Sequence, residues 1–408
     1  MPGNLIGILG IIVILAIAVL FSSNRKAIHL RVVAAAFALQ VAIAAFVLYF
    51  EAGRAVIRGL STGVLAVINF SKAGIDMVFG PLADTDVVGF SFATNVLPII
   101  IFFAALMSVL YYLRVMEWLV RIVGGALHRI IGTGAIESMN AAANIFVGQT
   151  EAPLVVKPYL KSLTDAQFFT VMVSGLASIA GTVLAGYVMM GAELKYLLAA
   201  AFMAAPGGLL MAKIIMPDDE YIPPGKHERL QMERSEHANL ILAAAAGTTD
   251  GLRLAVNIGA MLVAFVALIA LFNGLVGGLF SLVGIEGVTL QLILGKVFQP
   301  LMFLLSIPWE EAEAAGALFG EKIILNEFVA FSHLNDYLAG MSPRTIAVST
   351  FALCGFANLS SIAILLGGLG VLVPEKREVI GRLGIKAVLA ASLSNLMSAA
   401  LAGLLLTF

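Results

Sequence analysis

The sequence predicts an all-α integral membrane protein with about eight transmembrane helices, two re-entrant hairpins and one interfacial helix. Of its 408 residues, 61% are hydrophobic and only 12% are charged, whereas soluble domains are about 45–50% apolar and about 25% charged. The mean hydropathy is +1.02. A water-soluble fold of this length would expose large apolar patches. Apolar windows long enough to cross about 30 Å of hydrocarbon also recur along the chain, so the bilayer is its expected solvent.

The apolar windows give the predicted transmembrane helices. They lie at 5–21, 33–50, 91–113, 168–190, 195–215, 253–283, 347–371 and 384–407. The first window has no positive residue before it, so we expect a retained first helix and not a signal peptide.

Four further segments do not have the pattern of simple spans. Residues 51–89 mix basic and acidic side chains with apolar ones, which is typical of a helix lying in the interface. Residues 125–160 and 290–335 are apolar but interrupted by Gly, Pro, Asn and Glu. Irregular backbone is tolerated at membrane depth only where protein or water satisfies it, so these two segments predict re-entrant hairpins. Residues 217–238 form the longest polar segment, predicted to be a solvated loop.

The basic residues predict the orientation of the chain. If the N-terminus lies outside, 17 of the 24 Lys and Arg fall on or near the cytoplasmic side, as expected for membrane proteins. The remaining seven are Arg54, Arg58, Lys72, Lys195, Lys296, Lys322 and Arg344. Eight spans then return the C-terminus to the outside as well.

Two stretches of the chain resemble each other in plan. GQTEAP at 148–153 is followed by a predicted span containing SGLASIAG at 174–181. LNEFVA at 325–330 is followed by a predicted span containing CGFANLSSIAI at 354–364. Repeats with discontinuous helices that meet at a midplane site are a recurring transporter architecture. Chance similarity between Ala-, Gly- and Ser-rich helices is the alternative.

Glu151 and Glu327 are the most informative residues of these stretches. A carboxylate at membrane depth costs at least about 2.5 kcal/mol, so it normally faces a cavity, pairs or handles a ligand. The alternative is that either glutamate caps a hairpin helix or lies near the interface. Gln149 and Thr150 stand beside Glu151, and together the three offer donors and acceptors for the edge of a heterocycle.

Two further pairs of polar residues complete the candidate chemistry. Asn358 and Ser361 have i, i+3 spacing, which predicts one helix face; with Glu327 they could bind vicinal hydroxyls. Interhelical hydrogen bonding is the alternative for both. Asn144 and Ser178 are a candidate pair of ligands for a hard cation, although their spacing alone does not single them out.

Composition and motifs argue against other classes of protein. The net charge of −1 gives no reason to expect nucleic acid as a partner. The single cysteine, Cys354, excludes an internal disulfide. The sequence contains no HExxH, GxSxG or GxxxxGK[ST] motif, so nothing indicates an enzyme. Interrupted hairpins that enclose carboxylates favour a gated transporter over an open pore.

The strings GQTEAP, SGLASIAG, NEF and CGFANLSSIAI resemble the concentrative nucleoside transporter family. The order, spacing and hydrophobic profile agree along essentially the whole chain, and the short N-terminus is similar to that of bacterial members. The resemblance implies a secondary active symporter that imports nucleosides such as uridine, driven by sodium and without another cofactor. It also implies a homotrimer in the bacterial inner membrane and an elevator-type movement of a transport domain. The basic residues predict that both termini lie on the periplasmic side.

The resemblance further implies a division of the chain and a set of site residues. The expected parts are scaffold helices and the interfacial helix (1–90), a long scaffold span (91–124), a first transport repeat (125–215), a cytoplasmic loop with a scaffold span (216–289) and a second, inverted repeat (290–408). The nucleobase would meet Gln149, Thr150, Glu151 and Val183, and the ribose would meet Glu327, Asn358, Ser361 and Phe356. Sodium would bind Asn144, Ser178 and the carbonyls of Val147 and Ile179. Proton-coupled relatives differ at such positions, and this chain keeps Asn144, Thr150 and Ser178, which favours sodium over the alternative of a proton-coupled nucleoside symporter.

Overall fold

Helices form all of the regular secondary structure in residues 3–218, 237–282 and 284–406, the part of the chain that the computed structural model describes. The α-helices are α1 (Gly3–Leu20), α2 (Leu30–Ala44), α3 (Glu51–Phe79), α4 (Thr85–Val88), α5 (Phe92–Asn95), α6 (Leu97–Tyr112), α7 (Val115–Ile131), α8 (Ala135–Ala143), α9 (Lys157–Leu160), α10 (Asp165–Ala177), α11 (Gly181–Met189), α12 (Leu194–Ile215), α13 (Leu240–Ser281), α14 (Leu290–Leu304), α15 (Trp309–Ile324), α16 (Glu327–Ser332), α17 (Leu334–Leu338), α18 (Pro343–Leu353), α19 (Ser361–Gly367), α20 (Leu369–Leu372) and α21 (Arg377–Leu405). Most of the predicted loop at 217–238 lies outside the described residues.

The number of helices able to cross a bilayer agrees with the predicted eight, but the set differs. Within the described residues, seven helical stretches are long and apolar enough, or eight if the bent pair α14–α15 is one span. Glu51–Val88 is among the seven, so the interfacial position of α3 stays a prediction. The stretches Leu5–Leu20 and Ser361–Leu372 are shorter than a full span.

The helices divide into an inner and an outer group. In the most apolar window of α12, 94% of the residues are buried, whereas in that of α13 only 17% are. The inner helices α10, α12 and α21 pack against one another. Small residues allow this close approach: a side-chain carbon at Gly207 of α12 would lie 2.6 Å from the Oγ of Ser394 in α21.

The outer helix α13 is longer than predicted and packs along α6. It begins at Leu240, well before the predicted span at 253–283, because Asn239 caps it: its Oδ1 accepts a hydrogen bond of 2.9 Å from the N–H of Leu242. A side-chain carbon at Gly247 would lie 2.7 Å from the carbonyl oxygen of Ala104, so this glycine allows α13 to contact α6.

Two spans that the sequence predicts as continuous helices contain breaks. The span predicted at 168–190 is confirmed, because Asp165–Met189 is among the stretches able to cross a bilayer, but α10 ends at Ala177 and α11 begins at Gly181 within it. The continuous helix predicted at 347–371 was wrong. In place of the span at 347–371, α18 ends at Leu353 and α19 begins at Ser361. Gly355 in the second break has φ +150°, a conformation that essentially only glycine adopts.

The order of elements repeats along the chain. The first repeat begins with α8, the irregular residues 144–151 (the first-repeat tip), a 3₁₀-helix at Ala152–Val156 and α9. The broken pair α10–α11 and the long α12 follow. Likewise α15, a short tip, α16 and α17 precede the broken helix α18–α19 and the long α21. The first predicted hairpin begins later than expected, because α7 is a separate helix that runs to Ile131. How the two tips enter and leave the bilayer stays a prediction.

Candidate functional site

A buried carboxylate, Glu327, forms the centre of the second-repeat cluster. It begins α16, whose N-terminus is capped by Asn326: the amide oxygen accepts a hydrogen bond of 2.9 Å from the N–H of Val329. Only 3% of Glu327 is exposed. Its Oε1 accepts a hydrogen bond of 3.2 Å from the hydroxyl of Tyr187, and its Oε2 accepts one of 2.9 Å from the amide of Asn358. The remaining lone pairs of this carboxylate can accept further hydrogen bonds from a ligand.

The neighbours of Asn358 fix the direction of its side-chain amide. Its Oδ1 accepts hydrogen bonds from the N–H of Ser361 (2.8 Å) and from the hydroxyl of Ser360 (2.7 Å), which leaves the NH₂ group for Glu327. The prediction that Asn358 and Ser361 share one helix face was wrong, because Asn358 lies in the break before α19. The side chain caps the new helix instead of projecting from it. The hydroxyl of Ser361 is buried without a hydrogen-bond partner among the described residues, so it can bind a ligand.

Tyr187 is a member of this cluster that sequence reasoning missed. The ring is buried in α11 and stacks on Phe331 with 4.4 Å between centroids. Val183, a predicted nucleobase contact, lies one turn earlier on the same helix face and is 2% exposed. In the sequence alone, a tyrosine in an apolar span is most simply explained as a packing residue. The only indication that Tyr187 belongs to the site was its distance of four residues from Val183.

The first-repeat tip carries Gln149, Thr150 and Glu151 on one turn, as predicted. Gln149 is buried, whereas the side chain of Glu151 is exposed. A side-chain carbon at Gly175 of α10 would lie 2.9 Å from the Cβ of Gln149, so the tip rests against this helix. The side chain of Thr150 lies against Gly368, where an added carbon would meet its Cγ2 at 2.6 Å. The first-repeat tip therefore contacts the second repeat just beyond α19.

Three buried amide oxygens near this tip have no hydrogen-bond partner among the described residues. They belong to Asn140, Asn144 and Gln149. The NH₂ group of Asn144 donates to the carbonyl of Asn140 at 2.9 Å, and the hydroxyl of Ser178 donates to the carbonyl of Gly175 at 3.3 Å. Unpaired buried acceptors are costly and need an explanation. Neutral oxygen ligands without a donor are the set that a sodium ion uses, so the residues present fit such an ion.

The two helix breaks touch each other between the clusters. The N–H of Phe356 donates to the carbonyl of Ser178 at 3.2 Å, which joins the second break to the first. Phe356 itself is half-buried. Val147 and Ile179, the remaining predicted ion-site residues, are buried at the tip and in the first break, with 3% and 1% exposed. The predicted substrate and ion residues therefore lie in two clusters joined through the breaks. Among the described residues, no hydrogen bond connects Glu151 to Glu327 directly.

Sequence profiles of known families match three consecutive parts of the chain. The C-terminal profile of the Na⁺ dependent nucleoside transporters matches residues 196–403, and their N-terminal profile matches residues 9–82. A profile described as nucleoside recognition matches residues 93–194. The chain belongs to the concentrative nucleoside transporter family. The resemblance inferred from the four sequence strings is thereby confirmed.

Individual members of this family match over nearly the full length of the chain. Nucleoside permease NupC of Helicobacter pylori is 51% identical over 411 residues, covering 98% of this chain and 97% of the relative. The uncharacterized transporter YutK of Bacillus subtilis is 50% identical over 400 residues, covering 98% of both. The structure of CNTnw in an inward-facing substrate-bound state is 50% identical, with a TM-score of 0.93 over 99% of this chain and 98% of that one. Structures of CNTnw variants in outward-facing and intermediate states are also similar to this chain.

This concentrative nucleoside transporter is therefore an all-α, multi-pass membrane protein and not an enzyme. The predicted all-α membrane fold is confirmed, and the re-entrant hairpins stay a prediction.

Proposed function

We propose that this transporter is a symporter that imports nucleosides such as uridine, driven by a sodium gradient. It works as a homotrimer in a bacterial inner membrane, with both termini on the periplasmic side. The moving part of each protomer comprises residues 125–215 and 290–408, and the rest forms the scaffold. The description of the matching profiles as Na⁺ dependent supports sodium as the coupling ion.

The single observation that carries the sodium assignment is the group of unpaired amide oxygens at the first-repeat tip. Asn144 supplies one, and Asn140 and Gln149 supply the others. The chain has no Lys or Arg between Arg129 and Lys157, so no basic side chain of the tip itself can satisfy them. A sodium ion bound by Asn144, Ser178 and the carbonyls of Val147 and Ile179 would be the partner that the Oδ1 of Asn144 lacks.

The second-repeat cluster suits a ribose. Two vicinal hydroxyls need a strong acceptor and a group that can donate or accept. Glu327 is the acceptor, and the unpaired hydroxyl of Ser361 is the second group. Asn358 holds the carboxylate in place and keeps one N–H for the ligand. Phe356 lies in the same break and would pack against the sugar.

The first-repeat tip suits the nucleobase. Gln149, Thr150 and Glu151 offer an amide, a hydroxyl and a carboxylate on one turn, and Val183 adds an apolar contact. The side chain of Glu151 is exposed and can therefore reach a ligand. In this arrangement the nucleoside spans both repeats.

Coupling follows from the position of Gln149 between the two ligands. Its backbone rests on Gly175, and its side chain belongs to the same tip as Asn144. Sodium bound to the Oδ1 of Asn144 would order this tip in the conformation that lets Gln149 bind the base. The linkage is reciprocal, so nucleoside must also raise the affinity for sodium. The loaded domain then moves as one unit past the scaffold.

The test is uptake of labelled uridine by the purified protein in liposomes. An inward sodium gradient, an inward proton gradient and no gradient are compared at equal membrane potential. We expect accumulation with sodium alone. Accumulation with protons alone would support the nucleoside as substrate but exclude sodium as the ion bound at the first-repeat tip. Equilibration without accumulation under every gradient would indicate a passive pore.

A further inference from the structure

Two lysines are buried in the part of the chain that the structure describes, and their partners differ in kind. Lys213 lies between two carboxylates, with Glu137 at 2.5 Å and Asp218 at 2.6 Å from its Nζ. Lys322 is 0% exposed, and its Nζ donates to the carbonyl of Ala352 at 2.8 Å and to a side-chain amide oxygen at 2.7 Å. Both of these partners are neutral. A buried ammonium usually persists only with a counter-ion. The carboxylate of Glu327 interacts electrostatically with Lys322 but forms no salt bridge with it among the described residues, so the direct contacts of Lys322 need another explanation.

One oxygen partner of Lys322 lies at the end of a broken helix, and the other belongs to a side chain that binds the end of a second broken helix. Ala352 is the last residue but one of α18. The amide partner is Asn395 of α21, whose NH₂ group donates at 2.7 Å to the carbonyl of Ala177, the last residue of α10. The last carbonyls of a helix lack intrahelical partners and carry the negative end of its dipole. Lys322 and Asn395 therefore connect and neutralise the C-terminal ends of α18 and α10.

The backbone around this connection leaves no room for another side chain. Gly355 follows α18 in the break between α18 and α19. A side-chain carbon there would meet the amide of Asn395 and would lie 2.8 Å from the carbonyl of Ala177. The glycine leaves room for Asn395 between Lys322 and the carbonyl of Ala177.

The first repeat has the same kind of helix ends but no basic side chain in the matching elements. No Lys or Arg occurs between Arg129 and Lys157 or between Lys161 and Lys195, a region that includes α8, its tip, α10 and α11. In place of a lysine, it has the unpaired amide oxygens at the tip. Half-helix C-terminal ends and unwound carbonyls are the places where transporters bind coupling cations.

We propose that Lys322 is a covalently held cation, whose ammonium has in the second repeat the role that the sodium ion has in the first. It holds the ends of α18 and α10 together in every state of the transport cycle. Shortening Lys322 to alanine would therefore create a site for a small primary ammonium ion, with the carbonyl of Ala352 and the Oδ1 of Asn395 as its ligands. Only the comparison with sodium rests on the proposed function.

The experiment compares two variants of the purified full-length protein. Lys322→Ala removes the charge and leaves space, whereas Lys322→Met removes the charge and fills the space. The melting temperature, Tm, is measured without nucleoside or sodium, in n-butylammonium, n-butanol or tetramethylammonium. We expect both variants to melt below the wild type. Only butylammonium should raise the Tm of Lys322→Ala, saturably as for a ligand of the folded state, and it should leave Lys322→Met unchanged.

Uridine binding at saturating sodium gives a second readout. Butylammonium should restore the affinity of Lys322→Ala by at least about tenfold, the effect of one charge-assisted hydrogen bond. Lys195→Ala controls for general effects of amines, because Lys195 is a half-exposed lysine that pairs with Glu193. It should show no response.

Several results would overturn the proposal. A Lys322→Met protein with the Tm and uridine affinity of the wild type would show that the charge is dispensable. Rescue of Lys322→Ala by n-butanol as effective as by butylammonium would show that Lys322 only fills space. If Lys322→Ala aggregates, the protein is solubilised separately in each additive. Recovery of monodisperse protein in butylammonium alone would support the proposal. Recovery in none of the additives would reject it. Uridine uptake by the wild type that does not depend on sodium would reject the proposed function but leave the comparison of Tm values valid.

Discussion

The two repeats of this transporter share an order of elements but differ in how their polar groups are satisfied. In the second repeat, Glu327 is buried and each of its oxygens has a hydrogen bond, and a lysine joins the helix ends. In the first repeat, Glu151 is exposed and the buried amide oxygens around Asn144 have no partner among the described residues. In the second repeat, hydrogen bonds hold the carboxylate of Glu327 and the amide of Asn358 before a ligand binds, and the hydroxyl of Ser361 is left for the ligand. In the first repeat, the amide oxygens themselves are left for a ligand.

This difference suggests that the two repeats have different roles in binding the nucleoside. A preorganised cluster gives affinity, because little conformational freedom remains to be lost on binding. A cluster with unsatisfied groups responds to ligands, because binding changes its free energy more than that of a cluster already satisfied. We infer that the second repeat anchors the nucleoside and that the first repeat makes its binding depend on sodium. Each prediction below contrasts a residue of one repeat with a matched residue elsewhere.

The largest expected effect is that of replacing the buried carboxylate. Glu327→Gln keeps the shape of the side chain but removes its charge, and should weaken uridine binding by about 1.5–3 kcal/mol, or about 10- to 150-fold in Kd. Glu151→Gln should cost less, about 0.5–1.5 kcal/mol, because the side chain of Glu151 is exposed whereas that of Glu327 is buried. Isothermal titration with uridine at saturating sodium measures both. A larger loss for Glu151→Gln than for Glu327→Gln would reverse the assignment of the anchor.

The second effect concerns the ion. Asn144→Ala removes one unpaired oxygen and should raise the half-saturating sodium concentration about tenfold, which is roughly 1.5 kcal/mol for a ligand of a charged group. Asn358→Ala is the matched change in the second repeat, where the amide is already paired. It should weaken uridine binding and leave the sodium dependence near that of the wild type when uridine is saturating. Equal sodium dependence in both variants would argue against an ion at the first-repeat tip.

The sequence predicted the composition of both clusters better than their geometry. Glu151 and Glu327 were identifiable because a carboxylate in an apolar stretch needs a reason to be there. The repeated order of elements was visible as GQTEAP and LNEFVA, each followed by a small, polar cluster. These signals are local in the chain, and each depends on residue type alone.

The breaks in the two spans could not be predicted in the same way. Ala, Gly and Ser average to an apolar segment in any hydropathy window, so 168–190 and 347–371 each had the pattern of a single helix. The groups that satisfy the freed carbonyls are far away in sequence, such as Asn395, which binds Ala177. Tyr187 was missed for the same reason, since its partner Glu327 is 140 residues away. A break stabilised by distant residues has little local signature.

Tyr187→Phe tests the support of the anchor at a smaller scale. The ring and its stacking on Phe331 remain, and only the hydrogen bond of 3.2 Å to Glu327 is lost. We expect uridine affinity to fall about fivefold, or about 1 kcal/mol, with the sodium dependence unchanged. Tyr196→Phe is the control, because Tyr196 lies in α12 against Phe351 and not in the cluster. A change in uridine affinity as large in Tyr196→Phe would mean that the effect is one of general packing.

The smallest effect separates a ligand-binding hydroxyl from a structural one. The buried hydroxyl of Ser361 has no partner among the described residues, so Ser361→Ala should leave the Tm of the ligand-free protein unchanged or slightly raised. Uridine binding should nevertheless weaken about two- to fivefold, or about 0.5–1 kcal/mol. Repeating the titrations with 2′-deoxyuridine and 3′-deoxyuridine forms a double-mutant cycle. If Ser361 faces the ribose, the substitution should cost nothing further with the nucleoside that lacks its partner hydroxyl. An equal loss for uridine and both deoxynucleosides would place Ser361 outside the ribose site, leaving the carboxylate of Glu327 as the main anchor of the sugar in the second repeat.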